Sequence, residues 1–250
     1  MENKKEIKKF VKDKYAKIAF SGSSCRSNCA NPLNPADQAK SIGYSEQEIK
    51  SIPDTAMMGL GCGNPTALAE LKEGETVLDL GSGGGFDAFL AAQKVGVKGK
   101  VIGTDMTIEM IEKARENAKK GGYTNVEFRI GEIENLPVED NSIDAIISNC
   151  VINLSIDKLA TYKEAYRVLK PNGRILVSDM VIEGELPEDV RQSLEAWSEC
   201  IAGALEKQDY LDTIEKAGFK NIEIVAEHPI DGSDDRLVSK VISIQVKAYK

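Results

Sequence analysis

Short, largely apolar runs rich in β-branched residues recur through the middle of the chain, and between them apolar residues return every three or four positions. The runs are TVLDL (76–80), KVIGTD (100–105), NVEFRI (125–130), IDAIIS (143–148) and RILVSDM (174–180). Runs of this length read as strands buried on both faces, and their alternation with helical stretches predicts βαβ units around a parallel sheet, a Rossmann-like α/β fold. Helices are expected at 85–95, 107–121, 157–169, 187–204 and 208–217. In the third of these, Leu159, Tyr162, Tyr166 and Leu169 fall at i, i+3, i+7 and i+10, the spacing of one buried face. Gly173 in LKPNGR and Gly218 in KAGFKN supply turns back into strands. Two later runs, NIEIVAE and LVSKVISIQVKAY, add strands near the C-terminus. Upstream the pattern differs: a helix from Lys5 to Phe20 leads into SGSSCRSNCANPLNP, read as an ordered loop or flap. The chain thus divides into an N-terminal extension (1–70), a core (71–180) and a C-terminal portion that completes the sheet (181–250).

Composition narrows the partners. A length of 250 residues with 42% hydrophobic content supports one main domain with an appendage. A net charge of -8 with a pI near 5.0 lacks the basic face that nucleic acid or an anionic membrane requires, which leaves a small molecule as the expected substrate. No apolar run reaches the roughly 20 residues of a membrane helix, and the charged N-terminus has no signal-peptide core, so a cytoplasmic location is expected. Thiols stay reduced there, and five cysteines then read as ligands, nucleophiles or core residues.

VLDLGSGGGFD follows a predicted strand and opens a predicted helix, the context in which a glycine string carries meaning. Its spacing, Gly81-x-Gly83-x-Gly85, puts Phe86 where a dinucleotide fingerprint has its third glycine, which disfavours an NAD-dependent oxidoreductase. Asp79 and Asp87 bracket the loop with negative charge, which suits a cationic amino group better than a pyrophosphate. Asp105 ends the next run, where a carboxylate can accept both ribose hydroxyls. Glu132 and Ile133, in RIGEIENLP, sit where an adenine would lie. A purely structural reading stands beside this one, with Asp79 capping a turn and Asp105 capping the helix that opens at Thr107.

As an ordered set, these motifs resemble the class I S-adenosylmethionine-dependent methyltransferases over roughly residues 76–180. The resemblance implies a doubly wound seven-stranded sheet ending in an antiparallel strand. It further implies that Asp79 to Gly85, with Gly81, Ser82 and Gly83, cradle the methionine moiety of S-adenosylmethionine. Asp105 and Met106 would hold the ribose and adenine, Glu132 and Ile133 would flank the adenine, and Asn149 would close the site.

Methyl transfer from a sulfonium is an in-line displacement that needs an aligned, dehydrated nucleophile. Alcohol, amine and carbon acceptors usually need a base as well, yet the single histidine, His228, lies far from the motifs. SNCVINL stands where nucleic-acid amino-methyltransferases carry Asn-Pro-Pro-aromatic. Cys150 in that string ends a strand at the face where such folds bind ligands. Cys62, in MGLGCGNP, has glycines on both sides that permit close approach. Cys200, in WSECIAGAL, falls on the flank of a predicted helix with the stripe Val190, Leu194, Trp197 and Ile201. Each thiol alone is more often a small buried hydrophobe. Converging, the three would make a soft trigonal site for a thiophilic centre.

With GYSEQEIKSIP, GLGCGNPTALAELKEGETVLDLGSGGGFD, VIGTDMT, SNCVINLS and ECIAGAL, nearly the whole chain resembles the arsenite methyltransferases. That resemblance implies trivalent arsenic held by Cys62, Cys150 and Cys200, its lone pair attacking the S-methyl group without a base. It assigns the 181–250 portion the arsenic-site helix and implies a thiol reductant such as glutathione or thioredoxin. It also implies a role in arsenic capture or disulfide relay for an N-terminal thiol pair, here Cys25 and Cys29, separated as CRSNC where the family usually has adjacent cysteines. The competing readings are a methyltransferase of a small organic acceptor such as a quinone precursor, and a non-catalytic metalloid-binding protein.

Overall fold

The computed structural model describes residues 2–21, 34–230 and 240–250. Helix α1 (Glu2–Ser21) is followed by the short helices α2 (Pro35–Ser41), α3 (Glu46–Lys50) and α4 (Pro65–Leu68). The core then alternates β1 (Thr76–Leu80), α5 (Phe86–Val95), β2 (Lys100–Asp105), α6 (Ile108–Gly121), β3 (Val126–Ile130), β4 (Ile143–Asn149), α7 (Lys158–Val168) and β5 (Leu169–Ile182). It finishes with α8 (Glu188–Arg191), α9 (Leu194–Ser198), α10 (Lys207–Lys216), β6 (Lys220–Pro229) and β7 (Val241–Tyr249).

The seven strands form one sheet in the order β3-β2-β1-β4-β5-β7-β6, with β7 antiparallel to both neighbours. This matches the expected α/β class and the expected reversal at the end of the sheet. Strand order turns back between β1 and β4, so a crevice opens beyond their carboxyl ends, where sheets of this kind bind ligands. The strands read as apolar runs because both faces are covered. Tyr162, Tyr210 and Phe219 pack with Ile146 and Val177 on one side, while Phe89, Val95 and Ile111 pack with Val77 and Ile147 on the other.

Four core helices lie close to their expected spans, but the helix expected at 187–204 does not form as one element. It is α8 and α9 followed by a turn. Ser193 caps α9, its hydroxyl accepting from Ala196 N–H at 3.2 Å, and Cys200 adopts φ +67°, which ends the helical path. Val190 and Ile201, the two ends of the expected stripe, still pack into one cluster across the break. Cys200 therefore sits in a turn and not on a helix flank.

The N-terminal helix is more than an appendage. Ile18 and Ala19 of α1 pack with Met58 and Met110. Lys8 pairs with Glu132 at 2.6 Å, Lys14 donates to Ser198 Oγ at 2.8 Å, and Lys113 donates to the Ala19 carbonyl at 2.7 Å. One helix thus touches the loop before Cys62, the loop after β3 and the end of α9. Among the described residues no helix is long and apolar enough to cross a membrane.

Candidate active site

The main cavity lies at the carboxyl ends of β1, β2 and β4, under α1 and the 35–61 segment. Gly81, Ser82, Gly83 and Gly84 form its floor, and Asp79, Asp105, Met106, Ile133, Asn149 and Cys150 line its walls. Gly81 has φ +65°, and a Cβ there would fall 2.3 Å from the Val151 side chain, so glycine is required by both backbone and packing. Gly85 (φ +94°) opens α5 from behind the lining. Asp105 takes the Gly83 N–H (3.1 Å) and the Thr107 N–H (2.8 Å), tying the glycine loop to the end of β2. Burial raises its carboxyl above the usual range.

Two buried oxygens of lining residues have no partner: Asp79 Oδ2 and Ser82 Oγ. Burial, then the charges of Asp87 and Asp105, push the Asp79 carboxyl well above its ordinary value. An orphaned carboxyl oxygen near two other carboxylates is a site for a cation with N–H donors, which the ammonium of S-adenosylmethionine fits. Glu132 is not among the lining residues and pairs with Lys8, which does line the cavity, as do Gly131, Ile133 and Glu134 on either side of it in sequence.

Tyr44, given no role from sequence, anchors the opposite wall. Its hydroxyl donates to Asp87 Oδ1 at 2.7 Å and its ring meets Phe86 edge-on, centroids 4.7 Å apart. Asn149 Nδ2 reaches Tyr44 Oη (3.0 Å), the Gly63 carbonyl (2.8 Å) and Asp87 Oδ2 (3.1 Å), while its Oδ1 accepts the Cys62 N–H (3.0 Å). One asparagine at the end of β4 therefore fixes both the cavity wall and the Cys62 loop. Burial raises Asp87 to about 6, against the lowering effect of the Tyr44 and Asn149 hydrogen bonds. Lys8, Tyr15, Gln38 and Met58 also line the cavity and carried no sequence signal of their own.

Behind Cys150 lie the other two thiols. Cys62, Cys150 and Cys200 are free, buried at 3–4% exposure, and share one cluster with Met180, Ile182, Leu186 and Val190. The glycines flanking Cys62 do what close approach demands: a Cβ on Gly61 would meet Asn149 Nδ2 at 2.7 Å, and one on Gly63 would meet Ser178 Oγ at 2.1 Å. Cys150 (φ +61°) and Cys200 (φ +67°) both hold left-handed backbone, a conformation costing a non-glycine residue about 1 kcal/mol or more. Cys200 Sγ donates to the Cys150 carbonyl at 2.8 Å. Burial, then hydrogen bonds that its thiol donates to Cys200 and Cys62, raise the Cys150 thiol well above its usual range. The hydrogen bond with Cys150 lowers Cys200, but burial and the Asp179 charge outweigh it, so Cys200 is raised as well. Cys150 and Cys200 therefore rest protonated. Among the described residues no three Cys, His, Asp or Glu side chains form a ready-made metal cage, so joint use of the thiols requires Cys200 to leave its carbonyl partner. His228 is exposed near the end of β6 and is not among the residues that line the cavity. Cys25 and Cys29 lie outside the described residues.

A methyltransferase-domain family profile matches residues 71–218. An arsenite methyltransferase of Halobacterium salinarum is 46% identical over 261 aligned residues, covering 98% of this chain and 67% of the relative. The chain belongs to the arsenite methyltransferase family. The arsenite methyltransferase of Homo sapiens is 36% identical, covering 86% of this chain and 58% of its own length. A crystal structure of an arsenic(III) S-adenosylmethionine methyltransferase from Chlamydomonas reinhardtii superposes with a TM-score of 0.69 at 37% identity, covering 88% of this chain and 75% of that one. The chain spans little more than half the length of several of these arsenite methyltransferase relatives, from 56% upward.

Proposed function

We propose that this protein transfers methyl groups from S-adenosylmethionine to trivalent arsenic held by Cys62, Cys150 and Cys200, a reaction that serves arsenic detoxification. The observation that carries the reading is the burial of three free thiols in one cluster, with Cys150 also lining the cavity that contains the glycine loop. Thiols suit the first step. Each exchanges its proton and an arsenic-bound hydroxide for a sulfur–arsenic bond and a water, so no net charge is buried. Aliphatic packing around the thiols excludes the hard, hydrated cations that carboxylate sites prefer.

Asp79 and Ser82 would hold the methionine end of S-adenosylmethionine, Asp105 the ribose, and Met106 and Ile133 the adenine. S-adenosylmethionine supplies the methyl group as a sulfonium. The arsenic lone pair takes that methyl group, the sulfur–carbon bond breaks, and arsenic passes from the trivalent to the pentavalent state. The positive charge moves from sulfur to arsenic, and no proton has to be removed, which fits a cavity without histidine. Asn149 would hold the two halves in line, a role supported by its hydrogen bonds to both the Cys62 loop and the wall of the cavity. Return to the trivalent state needs two electrons from thiols, and glutathione or thioredoxin is the expected reductant, with Cys25 and Cys29 as relay or capture thiols.

Incubation with arsenite, glutathione and labelled S-adenosylmethionine, followed by arsenic speciation, tests this. Labelled methylarsenicals are the expected products; binding of both ligands with no transfer would leave a metalloid-binding protein.

A further inference from the structure

Cys62 meets the sheet through all three of its polar atoms, and a different strand takes each one. Its N–H donates to Asn149 Oδ1 at the end of β4, its carbonyl accepts from Ser243 Oγ on β7 at 2.8 Å, and its sulfur lies 3.7 Å from Ser178 Oγ on β5. Asn149, Ser178 and Gln245 are register partners across β4, β5 and β7. They form a polar row on a sheet face that below them carries Ile147 and Leu176. Ser178 is 1% exposed, and the partner of its hydroxyl is the Cys62 sulfur. Sulfur is a weak hydrogen-bond partner, so a buried hydroxyl committed to one is unusual in a sheet. The same residue serves a second thiol-bearing residue, because its carbonyl accepts the Cys150 N–H at 2.7 Å. Gly63 brings the loop down onto it, having no Cβ to collide with the hydroxyl.

We infer that Ser178 is a positioning residue for the Cys62 sulfur in arsenic binding, its hydroxyl holding that sulfur turned toward Cys150 and Cys200. This rests on the thiol site proposed above. In the free protein either group can donate. When Cys62 bonds to arsenic, its proton leaves with an arsenic-bound hydroxide as water, and from then on only the Ser178 hydroxyl can donate, to the remaining lone pairs of the sulfur. The hydrogen bond then has one polarity and one orientation, so its effect falls on the arsenic complex more than on the fold.

The test is a double-mutant cycle on arsenite affinity, measured by equilibrium dialysis of arsenite for the wild type, Ser178→Ala, Cys62→Ser and the double variant, with S-adenosylmethionine affinity measured on all four. Ser178→Ala should bind arsenite about tenfold more weakly, the upper end of the range for a neutral hydrogen bond. With Cys62 already replaced, adding Ser178→Ala should change arsenite affinity by less than about twofold, because the partner is gone. S-adenosylmethionine affinity should stay within about twofold throughout. An equal fold loss in both backgrounds, no loss with Cys62 intact, or a matching fall in S-adenosylmethionine affinity overturns the role. A wild type that fails to bind arsenite overturns the thiol site itself, a different failure.

Discussion

Replacing Asp79 by asparagine should move stability and cofactor affinity in opposite directions. Asp79 is 2% exposed, its Oδ2 has no partner, and burial together with Asp87 and Asp105 raises its carboxyl well above 3.8. A group raised in this way contributes stability that is fully present below its unfolded value and is lost as pH rises through the folded one. At neutral pH the free protein therefore carries a cost at this position. A neutral asparagine removes that cost and should stabilise the free protein at pH 7.5 by about 1–2 kcal/mol, the size of one relieved buried polar conflict less the cost of its own buried amide N–H. S-adenosylmethionine affinity should fall by about 2–3 kcal/mol, roughly thirty- to a hundred-and-fifty-fold, with the loss of a charge-assisted hydrogen bond. Urea unfolding followed by Trp197, the single tryptophan, reads the first effect, and calorimetry reads the second. At pH 4.5 the stability difference should shrink, because the wild-type carboxyl is then protonated. A variant less stable than wild type at pH 7.5, or one with unchanged affinity, would refute the reasoning.

Asp105→Ala removes the acceptor for Gly83 N–H and Thr107 N–H as well as the proposed ribose contact, and S-adenosylmethionine binding by calorimetry should weaken by about 2–4 kcal/mol. Lys14→Met releases the end of α9, and alkylation of Cys200 in the free protein, followed by mass spectrometry, should run about fivefold faster, the effect of one lost hydrogen bond. Replacing Cys25 and Cys29 together by serine should cripple turnover of arsenite while leaving methylation of a pre-formed arsenic dithiolate largely intact. Equal wild-type rates on both substrates would make that pair incidental.

The sheet was legible because its strands are buried on both faces and so print their positions as apolar runs between turn formers. The glycine loop was legible because close approach leaves glycine no substitute at Gly81. The break in the 187–204 helix was hidden, since α8 and α9 bury the same side and keep helical spacing through the gap. Tyr44 was invisible as a wall of the cavity, because its contacts with Asp87 and Asn149 span 43 and 105 positions. Ser178 and Ser243 were hidden for a related reason: a serine in a strand says nothing about which loop will fold onto it.

The most direct measurement of the thiol site is X-ray absorption of the arsenite-loaded protein, paired with methyl transfer, for the wild type and for Cys62→Ser, Cys150→Ser and Cys200→Ser. Arsenic should show three sulfur neighbours in the wild type and two in each variant, with S-adenosylmethionine affinity retained and methylation lost by roughly a hundredfold or more, as misplacement of the attacking atom by about 1 Å would cause. Near-normal methylation by the Cys150 variant, or an arsenic shell of oxygen in the wild type, would contradict the assignment of these thiols as the arsenic ligands.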